Sequence, residues 1–142
     1  MLTKSLMLNK NRKDSLEEEI LRERAAVLER AGESVADALE KLGKIEIFID
    51  EQLTYFDHLR EKCAEEPCNN HESIRRQIVE INGQISKYNR MREYARLRYY
   101  YLIVTREAMG MHRHTWVEEV YSIPPRKRFL QELQWTGTES RE

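Results

Sequence analysis

IRRQIVEINGQISKYNRMREYARLRYYYLIVTREAM, residues 74–109, decides the fold. Ile74, Ile78, Ile81, Ile85, Tyr88, Arg92, Ala95, Tyr99, Leu102, Arg106 and Met109 recur in it at alternating steps of four and three. That 3.5-residue period belongs to a helix whose apolar seam faces a partner helix. Gly110 is a natural stop for it. Upstream, the same rhythm runs through Leu21, Arg24, Leu28, Ala31, Val35, Ala38, Leu42, Ile45, Ile49, Gln52, Phe56, Leu59 and Cys63. Between the two stripes, Pro67 cannot continue a helix, and Asn69 or Asn70 can cap the next one.

Folding the chain at this break as an antiparallel hairpin sets Leu42 level with Ala95, Ile49 with Tyr88, Phe56 with Ile81 and Cys63 with Ile74. The residue numbers in each pair sum to 137. Two unrelated stripes agree in phase only about one time in seven. Charge favours the same partnership. Residues 14–66 carry 16 acids against 7 bases, and residues 86–113 carry 7 bases against 2 acids. The hairpin brings Arg90 towards Glu46 and Asp50, Arg96 towards Glu40, and Arg106 towards Glu33. Such exposed pairs are worth only ~0.2–1 kcal/mol each.

Asp14 and Ser15 before Leu-Glu-Glu-Glu form an N-cap with a capping-box glutamate, which predicts a start at 14 and a flexible segment 1–13. Gly32 and Gly43 each weaken the helix by ~1 kcal/mol relative to alanine, yet the stripe passes both in phase. Thr115 opens a second capping box, Thr-Trp-Val-Glu, for a short helix 115–121. Pro125 suits the first turn of another, 125–134. The expected architecture is therefore all-α. It is a single domain, 14–135, with helices 14–66 and 71–110 joined by a turn at 67–70. Two short helices follow, then a frayed tail at 136–142.

The hairpin does not use every apolar residue. Tyr94, Leu97, Tyr101, Val104, Ala108 and Met111 form a second stripe, widened by Tyr100 and Ile103; Ile20, Val27, Leu39, Ile47, Phe48 and Tyr55 lie off the first seam. Faces this broad need further cover. The candidates are the C-terminal segment, folded back through Trp116, Phe129 and Trp135, or a second copy of the chain in a helical-bundle homodimer.

No phosphate loop, nucleophile elbow, paired Cys-x-x-Cys or Glu-x-x-His motif occurs in the 142 residues, so no catalytic set or cofactor is expected. His58, Cys63, Cys68 and His71 span the expected turn and are the one zinc-compatible set, although Cys63 also reads as a small apolar seam residue. His112 and His114 are a weaker pair. No apolar run approaches the ~20 residues of a membrane span, and no signal peptide is evident, which predicts a cytoplasmic protein.

These features favour a non-enzymatic interaction module (an adaptor, scaffold or dedicated chaperone) that meets itself or another protein through Tyr100, Tyr101, Val104, Trp116, Tyr121, Arg126, Arg128, Phe129 and Trp135. The alternative is a nucleic-acid-binding module using Arg90, Arg96, Arg98, Arg113, Arg126, Lys127 and Arg128. A net charge of −1 weighs against that alternative. A small metal-binding helical protein is weaker still.

Overall fold

A computed structural model describes residues 2–65 and 71–131 of the chain. It contains α1 (Leu2–Glu65), α2 (His71–Ala108) and α3 (Thr115–Val120), and no strand among the described residues. The expected turn at 67–70, the tail and residues 132–134 lie outside the described residues.

The described residues form two compact units. The first joins residues up to 36 with 97–122; the second joins 37–96 with 123 onward. In the second unit α1 packs on α2 along the expected seam, whereas in the first the seam is buried only around Val35 and Leu102, and Leu21 stands exposed. In the second unit Leu42, Ile49, Phe56, Ile74, Ile78, Ile81, Ile85 and Tyr88 form one buried cluster, joined at its margin by Leu39, Leu53, Met91 and Leu130. Burial of an aliphatic side chain of this size contributes about 1.5–3 kcal/mol. The first unit buries far less: Val35, Leu102, Val117 and Arg106.

The seam's phase follows the sequence, but its level does not. Gln77 Nε2 donates to Gln52 Oε1 at 2.6 Å. The expected register would set these residues about 12 Å apart along the axis, at 1.5 Å per residue. Their numbers sum to 129, so at this level the pairing is slipped by about one heptad. A slip of seven residues keeps seam against seam, which is why the phase argument could not see it.

The expected charge pairs give way to others. Arg96 pairs with Glu93 at 3.6 Å, Lys44 with Glu40 at 3.3 Å, and Glu46 receives Lys127 at 3.1 Å.

Helix boundaries differ at three places. α1 starts at Leu2, ahead of the capping box at 14, because Lys, Leu, Met and Arg are good helix formers and nothing stops the helix there. In α3, Thr115 is the first helical residue rather than the cap, and His114 at the cap makes no side-chain cap bond. Residues 125–131 are not helical; they run extended along the second unit.

The end of α2 agrees with expectation. Gly110 has φ 82°, the Met111 N–H donates to Arg106 O at 2.9 Å, and the Gly110 N–H donates to Glu107 O at 2.9 Å. This is a Schellman cap, whose left-handed residue favours glycine.

α1 passes Gly32 and Gly43 without interruption. At Gly32 an added Cβ would meet Tyr121 Oη at 3.0 Å, whereas at Gly43 and Gly83 nothing lies within 4 Å. Gly43→Ala and Gly83→Ala are therefore each expected to stabilise the protein by up to about 1 kcal/mol. Urea melts followed by helical circular dichroism would show this as a raised midpoint. A lowered midpoint would contradict the open space around these positions.

Candidate functional site

Two surfaces concentrate the residues that carry recognition chemistry. One is the aromatic face of the first unit, where Leu97, Tyr101 and Val104 follow one another down one side of α2 and are 46%, 49% and 43% exposed. Tyr100 stands beside them, its ring centroid 6.2 Å from that of Tyr101. On α1 every described side chain from 3 to 25 is exposed, among them Leu6, Leu16, Ile20 and Leu21. The second apolar stripe is thus left uncovered in this unit. Tyr94, in the second unit, is likewise exposed.

The chain beyond α2 is organised by Arg106. Its guanidinium donates through Nη2 to Arg113 O at 3.0 Å and through Nε to His114 Nδ1 at 3.3 Å, and it lies 5.0 Å over the Trp116 ring. Because Nδ1 of His114 accepts, the ring proton sits on Nε2, which donates to Glu107 Oε1 at 3.2 Å. Trp116 keeps its outer face exposed, while Tyr121 is half-buried with its hydroxyl set against Gly32. Burial raises the Tyr99 pKa, and the Glu118 carboxylate adds to the shift. Arg106, Met111, His112, Arg113 and Trp116 border an open depression of about 470 Å³. Its lining brings two arginines and a histidine together with the indole of Trp116.

The second surface is a groove on the second unit, and it is occupied. Residues 123–131 lie along α2 in the opposite direction. Arg92 Nε donates to Pro124 O at 2.7 Å. Asn89 receives the Lys127 N–H at 3.0 Å on Oδ1 and donates to Lys127 O at 3.1 Å. Asn82 grips Leu130 in the same way, at 2.7 and 3.0 Å. Lys127 Nζ reaches Glu46 Oε1 at 3.1 Å and lies 5.0 Å over the Tyr88 ring. The Tyr88 hydroxyl pKa is raised, first by burial and then by Glu46, with Lys127 and Arg92 pulling the other way.

These contacts explain the polar interruptions of the α2 seam: Arg92 and Arg106 each hold a carbonyl of the returning chain. The C-terminal segment does fold back, as one of the two expectations held. It covers Tyr88 rather than Leu97, Tyr101 and Val104, and Phe129, Arg126 and Arg128 point outward from it, exposed. Trp135 lies outside the described residues. Asn82 and Asn89 were missed by the sequence reading. Their signal was two asparagines one heptad apart, each directly after a seam residue.

The zinc-compatible set is not assembled by the described chain. His58 and His71 are exposed, Cys63 is half-buried, and Cys68 lies outside the described residues. Among the described residues no three His, Cys, Asp or Glu side chains are grouped to hold a metal ion. No helix among them is long and apolar enough to cross a membrane. Two of the cations named for nucleic-acid contact are engaged with acids, Lys127 with Glu46 and Arg96 with Glu93. Comparison with known proteins finds no significant match among family models, curated proteins or solved structures.

Proposed function

We propose that the protein is a non-enzymatic helical interaction module, and that a second copy of the chain covers the aromatic face of its first unit. One observation carries this reading. The first unit presents large side chains along both helices, and α1 from 3 to 25 buries nothing. A helix without tertiary packing is marginal in water, because amphipathic burial supplies most helical stability in proteins. A self-complementary pairing about a two-fold axis would bury the same face on both copies and close the assembly. A paired helical unit of this kind, with an exposed aromatic face on α2, supports an adaptor or scaffold role.

Sedimentation equilibrium of the full chain tests this. The expected mass is twice 17.1 kDa at micromolar concentration. Tyr101→Glu places a charge in the centre of the face and is expected to weaken association at least ~30-fold, the effect of losing ~2 kcal/mol at an interface hot spot. Helical content should be retained, because Tyr101 is exposed within one chain. A wild-type monomer at tens of micromolar would sink the pairing.

A further inference from the structure

We infer that the second unit is a recognition site for extended segments of the pattern Pro-x-x-Lys-x-x-Leu, and that residues 124–130 are its built-in occupant. A partner protein's segment of this chemistry would compete with that strap for the same groove. This inference does not rest on the pairing of the first unit.

The strap is held as a bound peptide is held. It contributes no helix or strand to the unit. Its contacts are grips from side chains to main chain at Pro124, Lys127 and Leu130, together with two side-chain anchors. Residues 124, 127 and 130 are half-buried while 125, 126, 128 and 129 are exposed. A period of three is that of a polyproline II helix, which the Pro124–Pro125 pair favours. The spacing of the clamps fits it. Asn82 and Asn89 stand two helical turns apart, about 10.5 Å. Three residues of polyproline II cover about 9.3 Å.

Each asparagine presents an acceptor and a donor side by side, and so satisfies the N–H and the C=O of one residue at once. That geometry reads an extended main chain whatever its side chains are. Specificity comes from the two anchors. Glu46 and the Tyr88 ring select a cation at the first, through an ion pair and a cation–π contact. The core margin that receives Leu130 selects an aliphatic side chain at the second. None of this depends on the strap being joined to the same chain. Tethering does raise its effective concentration, to the millimolar range for a short linker, so a free ligand meets a competitor already in place. Opening the strap uncovers Tyr88 and Asn89, which are buried, so a competing segment has to cover both again.

The test uses the full chain and a fluorescent peptide, IPPRKRFLQ, followed by anisotropy. Lys127→Glu with Leu130→Asp weakens the strap and leaves the groove intact. This variant is expected to bind the peptide at least tenfold more tightly than the wild-type chain does. A peptide carrying the same Lys→Glu and Leu→Asp changes should not bind. Adding Asn82→Leu and Asn89→Leu to the variant should abolish binding. Should that protein lose its fold, Glu46→Lys with Leu130→Asp and Lys127 kept provides the second arm, since the like charges at 46 and 127 loosen the strap and the groove should reject IPPRKRFLQ and accept the peptide with Lys→Glu alone. Equal binding of the two original peptides, no saturable binding by the strap-weakened chain, or indifference to the charge exchange would each overturn the inference.

Discussion

Ile81→Ala is expected to lower the stability of the protein by about 2–5 kcal/mol, the range for emptying a fully buried aliphatic site. Ile81 is wholly inaccessible and sits within the cluster of Leu42, Ile49, Phe56, Ile74, Ile78, Ile85 and Tyr88. The lost methyl and methylene groups forfeit their transfer energy, and two rigid helices cannot collapse onto the space. Its neighbour Asn82 holds the main chain of Leu130, so a shift of α2 at this level would also loosen that grip. Val79, two residues earlier and 64% exposed, is the control. Val79→Ala should change stability by less than about 0.5 kcal/mol. Urea denaturation of both variants decides the matter. Similar midpoints for the two would mean that the second unit does not have the packed core described.

Arg106→Met is expected to cost about 2 kcal/mol, with its effect concentrated beyond α2. The substitution keeps an unbranched apolar stem but removes the charged donor of two part-buried hydrogen bonds, to the Arg113 carbonyl and His114 Nδ1, and a hydrogen bond to a charged group contributes ~1.5–3 kcal/mol. It also removes the cation from the face of Trp116. α3 is only six residues long and cannot persist unless it is anchored. Amide exchange at Glu118 and Tyr121, whose N–H groups bond to His114 O and Val117 O, should accelerate roughly 30-fold, the equivalent of ~2 kcal/mol. Arg106→Lys should recover only part of the protection, since a single ammonium on a flexible stem does not reproduce the guanidinium fork. Unchanged exchange in Arg106→Met would remove Arg106 from this role.

What the sequence revealed was local and periodic. Val35, Ala38, Leu42, Ile49 and Phe56 on α1, and Ile74, Ile78, Ile81, Ile85, Tyr88, Ala95 and Leu102 on α2, are buried where the heptads put them, because a seam is written at steps of three and four. Levels were not legible, since a seven-residue slip still sets seam positions against seam positions. The strap was not legible for a different reason. Its partners lie 38 and 48 residues away, and an asparagine that binds a distant main chain has no periodic signature. Read locally, Pro125 followed by Arg-Lys-Arg-Phe-Leu looks like the first turn of a helix, and only the groove on α2 makes it extended. The N-terminal cap failed because an Asp and a Ser inside a run of good helix formers cost only tenths of a kilocalorie per mole each.

Because Asn82 and Asn89 hold main chain, residues 126, 128 and 129 are left out of the grip. Their side chains are free to drift in sequence without unseating the segment, and a fluorophore or cross-linker attached there would report on the groove without blocking it. The basic run Arg126-Lys127-Arg128 is thus held at its middle residue alone, and the constraint that keeps it in place is written elsewhere, on the helices.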